Sequence, residues 1–501
     1  MIPLTLREIA QVTGGRVHPD TPGAGRTTVT ATVVTDSREA VPGSFYVARR
    51  GDHADGHDFL AAAAANGAVG ALTNRESAEL PCVVVDEDPT RLSRRPDRPP
   101  YDAVTRAFAA LAREVHDRCE AAGGLHTVAI TGSSGKTSTK DLMAQVLEQI
   151  GPTLAPEASY NSEVGVPLTV CRLTPGTAYL VAEMGASGKG HIAHLVQIAP
   201  PLVSVVLNVG SAHLGEFGSR EAIGEAKSEI VAGLRPGGLA VLNADDPVVA
   251  RMESVARRVG ARVVTVGRAQ HAQVRAGEVT LDERGRASFL LHAAGEPGPG
   301  LPVSLRLVGE HHVGNALAVA AVAHEWGMPW PAVATALGRA VPRSPGRMEV
   351  TDRADGVTVV NDAYNANPES MAAALHTLAA MRRTGGRLVA VVGGMLELGA
   401  DAPGEHARVG ALAAELGVDH LVTVGELAGP ARTAYLDAGG AEATHVADRH
   451  AAADLLGGLL RADDVVLLKS SRDSGLRLLG DELAHADVEA AATGTSTEEP
   501  A

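Results

Sequence analysis

The chain has few cysteines, no long apolar run and no surplus of positive charge, and each absence excludes a class of protein. Among 501 residues only Cys82, Cys119 and Cys171 carry thiols. Their number is odd, no Cys-x-x-Cys spacing occurs and their neighbours are apolar, so buried free thiols are expected in place of disulfides or a zinc site. No apolar run reaches the roughly 20 residues needed to span a membrane. The start, Met1-Ile-Pro-Leu-Thr-Leu-Arg-Glu, lacks the cationic segment and apolar core of a secretion signal. A cytoplasmic protein with no membrane insertion is the expectation. A formal net charge of −15 and a pI near 5.7 argue against nucleic acid as a partner, because its phosphate backbone repels an acidic surface. The substrate should be small, or held by a local basic site.

The sequence is too long for one ordinary domain, and about 150 residues per domain gives roughly three. Charge and proline take over in Arg91-Leu-Ser-Arg-Arg-Pro-Asp-Arg-Pro-Pro100, which reads as a solvated linker. A second break falls in Ala340-Val-Pro-Arg-Ser-Pro-Gly346. The expected division is 1–98, 99–341 and 342–490, followed by a disordered polar tail at 491–501. In the middle segment, apolar runs at 128–130, 178–182, 202–207 and 239–243 alternate with helical patterns. The predicted class is α/β, with a parallel sheet at the centre. Leu388-Val-Ala-Val-Val-Gly-Gly394 resembles the strand and turn of a Rossmann-like unit, but no complete Gly-x-Gly-x-x-Gly follows. No dinucleotide cofactor is expected there.

The strongest chemical signal is Thr131-Gly132-Ser133-Ser134-Gly135-Lys136-Thr137-Ser138, between the apolar run ending at Ile130 and a helical pattern. Strand, glycine loop and helix come in the order of a phosphate-binding loop. Glycines allow close backbone approach, the helix N-terminus supplies N–H donors, Lys136 neutralises phosphate oxygens and the Thr137 hydroxyl suits Mg²⁺. ATP or a similar nucleotide is the expected ligand. The usual additional glycine is absent, Ile130 standing in its place. Ligands of such sheets sit beyond the carboxyl ends of the strands, which makes Glu183 and the segment Asn208-Val-Gly-Ser-Ala-His213 candidates for holding a metal ion. Further on, Ile223, Ala226, Ile230 and Leu234 trace one helical face with Lys227 beside it. Such a lysine either snorkels to water or is modified in place.

These segments resemble the Mur ligases of bacterial cell-wall synthesis. The match includes the glycine loop, Glu183-Met-Gly-Ala186, Ala226-Lys-Ser-Glu-Ile230, Gly309-Glu-His-His-Val-Gly-Asn315, Gly346-Arg-Met-Glu349 and Asn361-Asp-Ala-Tyr-Asn-Ala-Asn-Pro368. Asp36-Ser-Arg38, Asp55-Gly-His-Asp-Phe59, Tyr160-Asn-Ser-Glu-Val-Gly-Val-Pro167 and Gly393-Gly-Met-Leu-Glu-Leu-Gly399 are most similar to the branch that adds D-alanyl-D-alanine. The resemblance implies three domains, with a small α/β N-terminal domain, a phosphate-loop centre and a Rossmann-like C-terminal domain. It also implies an ATP-dependent amide ligase, working as a monomer on UDP-N-acetylmuramoyl-tripeptide and D-alanyl-D-alanine through an acyl phosphate. Thr137, Glu183, His213 and a CO₂-derived carbamate on Lys227 would hold Mg²⁺, while Asn315, Arg347 and Asp362 would contact the nucleotide. Ser37, Arg38, Asp55, Gly56 and His57 would bind the UDP end of the substrate.

Gly394, Ser162, His312 and Ser470 depart from the family pattern. A sister ligase adding one amino acid, a phosphate-loop ATPase and a non-catalytic nucleotide binder stand as alternatives. The Asp-Asn-Pro-Arg segment associated with diaminopimelate addition does not occur.

Overall fold

The computed structural model describes residues 1–51, 54–87, 101–186, 188–210, 214–296 and 298–493. The expected linker at 91–100 with its boundary at 98, Ser211 to His213 and residues 494–501 lie outside them. Three main sheets follow one another along the chain. The first orders its strands Arg16–His18, Cys82–Val84, Gly70–Thr73, Phe45–Val47 and Val33–Val34, parallel except at the first pair.

Among the described residues the middle sheet has nine strands. Its centre is His126–Thr131, with Tyr179–Glu183 parallel on one side and Val203–Val206 parallel on the other. Beyond these come Leu239–Asn243 and Arg262–Gly267, then three longer strands that end antiparallel, Val274–Leu281, Arg286–Ala293 and Leu301–Val308. The chain leaves His126–Thr131 and returns on alternate flanks, so a crevice opens past its carboxyl end, where the glycine loop lies. Val128, Ala129 and Ile130 are fully buried because helices cover both faces, which explains an unbroken apolar run in place of alternation.

The third sheet orders Glu349–Asp352, Thr358–Asn361, Val465–Lys469, Leu388–Val392, His420–Val424 and Glu442–Val446, with only its first strand antiparallel. The last helix runs Leu476–Thr493, three residues into the segment expected to be a disordered tail. Its alanine-rich end continues the helical pattern, and the polar residues come later.

One apolar core joins the first two sheets. Leu6 and Ile9 from the N-terminal region share it with Phe108 and Leu111 of the helix Ala103–Ala121 and with Ile192 and Ile230 of the middle region. The third sheet has a separate core on each face. The three cysteines are free and buried.

Candidate active site

The glycine loop is built by its neighbours as much as by its own sequence. Gly135 caps the helix Lys136–Leu147 in a left-handed conformation with φ +81°. A Cβ there would lie 2.9 Å from Asn315 Oδ1, so both the backbone angle and the space call for glycine. Asn208, just past the strand Val203–Val206, braces the loop from the side. Its Oδ1 accepts from Ser134 N at 2.9 Å and its Nδ2 donates to Ser134 O at 3.2 Å. Ser133 Oγ accepts from Gly210 N at 2.9 Å. The Lys136 ammonium donates to Gly132 O at 2.7 Å, curled over the loop. Burial lowers its pKa, partly offset by the nearby Glu183 charge.

Glu183 ends the strand beside the loop and is 1% exposed. Its Oε1 accepts from Ser159 Oγ and Asn161 Nδ2, both at 2.7 Å, while its Oε2 is buried without a hydrogen-bond partner. A buried carboxylate oxygen lacking a donor is costly unless a cation satisfies it. The donor set therefore fits Mg²⁺, with Glu183 and the Thr137 hydroxyl lining one cavity.

That cavity, about 180 Å³, lies between the middle and C-terminal sheets. Arg347 reaches across it and donates to Thr137 Oγ1 at 3.3 Å, with its guanidinium 4.1 Å from the centre of the Tyr364 ring. Asn367 Nδ2 donates to Ser133 O at 3.3 Å while its Oδ1 caps the helix Pro368–Ala380. Asp362 follows the strand Thr358–Asn361, where its Oδ1 accepts from Met348 N and its Oδ2 pairs with Lys469 Nζ at 2.7 Å. Asn315, in the helix His312–Glu325, is buried against His312, whose ring nitrogen lies 3.3 Å from Asn315 Nδ2. Burial among these groups keeps His312 well below the usual imidazole range.

A second cavity of about 220 Å³ shares Ser133, Lys136, Asn161 and Asn365 with the first, and Lys227 opens onto it. The helix carrying Lys227 runs Arg220–Ala232, and the lysine is 4% exposed, so it does not snorkel to water. Burial, with the Lys136 charge a lesser cause, pushes its pKa down to about 7.

The structure thus gathers the loop, Glu183, Lys227, Asn315, Arg347 and Asp362 around two joined cavities. His213 lies outside the described residues. The five N-terminal candidates line neither cavity. Arg38 is spread on the surface and paired with its neighbour Asp36 at 2.6 Å, which holds the Asp36 carboxyl at about 2. Ser37 is buried. His57 Nδ1 lies 2.6 Å from Asp55 Oδ1, and Gly56 O accepts from Tyr46.

Several residues of the site escaped prediction as site residues: Ser159 and Asn161 beside Glu183, and Tyr364, Asn367 and Lys469 across the cavity. A signal existed for Lys469 and Tyr364, since both follow or end parallel strands on the side where the loop lies. Of the departures from the family pattern, Ser470 fills the space beside Gly393, where a Cβ would come within 2.7 Å of the serine Cβ. A Cβ on Gly394 would meet Leu427 at 3.1 Å.

The family model "Mur ligase middle domain" matches residues 130–323, and "Mur ligase, glutamate ligase domain" matches 346–472. A UDP-N-acetylmuramoyl-tripeptide–D-alanyl-D-alanine ligase of Mycobacterium tuberculosis is 46% identical, over 97% of this chain and 99% of its own. The structure of a UDP-N-acetylmuramoylalanyl-D-glutamyl-2,6-diaminopimelate–D-alanyl-D-alanyl ligase from Acinetobacter baumannii superposes with a TM-score of 0.79. It is 30% identical, covering 97% of this chain and 98% of that one. The MurF ligase of Thermotoga maritima in complex with ADP gives a TM-score of 0.74 at 28% identity, over 92% and 99% of the two chains.

Proposed function

Since the chain belongs to the Mur ligase family, we propose that the two joined cavities carry out ATP-dependent addition of D-alanyl-D-alanine to UDP-N-acetylmuramoyl-tripeptide. The chain is an amide-bond ligase of peptidoglycan synthesis. The single observation that carries the site assignment is the junction of the cavities at Ser133, Lys136 and Asn161. A nucleotide in the first would present its terminal phosphate to a carboxylate in the second.

The tripeptide carboxylate is a poor acyl donor. One of its oxygens forms a bond to the γ-phosphorus, the bond to the ADP oxygen breaks, and an acyl phosphate results. The dipeptide amine then bonds to the acyl carbon, phosphate leaves with its bonding electrons, and the amine loses a proton. Such transfer depends mainly on positioning and charge neutralisation. The loop from Gly132 to Ser138 would cradle the phosphates. Lys136, released from Gly132 O, would neutralise the moving phosphoryl group. Arg347 and Asp362 would hold the nucleotide from the C-terminal side, with Asn315 a third contact from the middle region. The Ser159 and Asn161 donors keep Glu183 aimed into the cavity.

Mg²⁺, when bound, would offset phosphate charge, with Thr137, Glu183, His213 and Lys227 as its proposed holders. Lys227 suits that role as a carbamate, because a buried uncharged amine can take up CO₂ and become an anionic oxygen ligand. Ser37, Arg38 and the turn Asp55–His57 are proposed to take the UDP end, away from the reacting atoms. The division at 98 and 341 is kept as the proposed domain organisation, with a cytoplasmic monomer as the working unit. Among the described residues no helix is long and apolar enough to cross a membrane.

The test is phosphate release from ATP with the UDP-muramoyl tripeptide, with and without D-alanyl-D-alanine, while the product is followed by mass. Dipeptide-dependent release with one new amide bond is expected. ATP turnover indifferent to the dipeptide would overturn the ligase reading.

A further inference from the structure

In a ligase that activates the terminal carboxylate of a tripeptide, the third residue carries that carboxylate, so its own side chain must enter the same cavity. The second cavity has two lysines, Lys136 and Lys227, near the phosphate loop. Among the described residues lining it, Glu163 is the sole carboxylate, and no hydrogen bond or ion pair with a described residue satisfies it. Phosphoryl transfer gives Glu163 no task. Burial raises the Tyr101 phenol pKa and lowers that of the His194 imidazole, and the Glu163 charge adds to the first shift and opposes the second. Glu163 lines this cavity together with the Tyr101 ring, which packs on His194 at 4.5 Å between ring centres.

Its backbone sits in a tight turn. Glu163 lies in the turn leading into the helix Gly165–Val170, where Val166 N donates to Ser162 O at 3.0 Å. A Cβ on Gly165 would come within 2.5 Å of Tyr160 Cα, so the turn is closed as tightly as the backbone allows. The same segment supplies Ser159 and Asn161, the donors to Glu183.

We propose that Glu163 determines specificity for the acceptor peptide by pairing with a side-chain ammonium on its third residue, with Tyr101 as the wall along which the methylene stem lies. This rests on the ligase reading above. An ammonium entering the cavity leaves water behind and needs a counter-charge, and among the described residues lining the cavity Glu163 is the carboxylate that can supply one. The Acinetobacter baumannii relative names 2,6-diaminopimelate in its substrate. Diaminopimelate and lysine both carry an amine beyond a methylene chain.

The experiment measures kcat/KM of the full-length protein for UDP-muramoyl tripeptides ending in lysine, diaminopimelate or norleucine, with ATP and D-alanyl-D-alanine saturating. Norleucine keeps the stem and lacks the amine. The wild type should favour the amine-bearing substrates by about tenfold or more. Glu163→Gln should lose that factor on them while changing norleucine by less than about twofold, with KM for ATP and dipeptide unmoved. Equal wild-type rates on lysine and norleucine would overturn the proposal without any variant. An equal fall on all three substrates in Glu163→Gln, or a rise in the dipeptide KM alone, would also overturn it. No dipeptide-dependent phosphate release by the wild type with any tripeptide would overturn the ligase reading itself, a separate result from lost selectivity.

Discussion

The carbamate on Lys227 can be tested through its chemistry with CO₂. Only an unprotonated amine has the lone pair that bonds to the carbon of CO₂; one proton is then released and an anion results. In the fold the Lys227 ammonium loses its proton near pH 7, down from 10.5, chiefly because burial disfavours the charge. At about pH 7 roughly half of the side chain is then uncharged, against about one part in 3,000 for a solvated lysine, a gain on the order of a thousandfold. Because the folded pKa is lowered, the reactive form is present above that value and lost as pH falls through it. A drop to about pH 6 should cut it about fivefold at fixed dissolved CO₂. The assay is carbon NMR of the protein in ¹³C-labelled bicarbonate. A protein-bound carbonyl signal should appear in the wild type, weaken toward pH 6 and vanish in Lys227→Ala. Short carboxylic acids should restore much of the turnover of that variant by supplying the missing oxygens. An ATP-binding wild type without the signal at slightly alkaline pH, or a Lys227→Ala enzyme of undiminished activity, would refute the reasoning.

Lys136→Ala should reduce turnover by about a hundredfold or more, measured as phosphate release, since it removes a placed charge from the transferred group. Gly135→Ala should weaken nucleotide binding in calorimetry while leaving circular dichroism unchanged. The new methyl meets Asn315 in a backbone conformation that L-residues avoid. Lys469→Met leaves the Asp362 carboxylate without its 2.7 Å partner in a buried setting. That should cost about 3–5 kcal/mol, read as a lower melting temperature of the C-terminal region.

Local chemistry made much of this protein legible in advance. Strand, glycine loop and helix are set by neighbouring residues, so Thr131 to Ser138 announced a phosphate site unaided. The burial of Val128 to Ile130 was legible from an unbroken apolar run, and the face through Ile223, Ala226 and Ile230 from helical period. Lys227 was ambiguous at that level, because the edge of a helical stripe can face water or protein. Only the packing around its helix, leaving it 4% exposed beside Lys136, decided its proton affinity.

The sequence by itself determined the α/β class, the family motifs and the residue types able to bind a triphosphate, since these depend on short-range pattern and composition. Tertiary structure decided which distant residues meet. Asn208 braces Ser134 from 74 positions away, Asn367 reaches Ser133 across 234, and Arg347 reaches Thr137 across 210. It also decided that Ser37, Arg38 and the Asp55–His57 turn line neither of the two cavities, and that Glu163 lines the second of them. No pattern within one segment encodes such meetings, because they arise where strand order turns separate chain segments toward a common crevice.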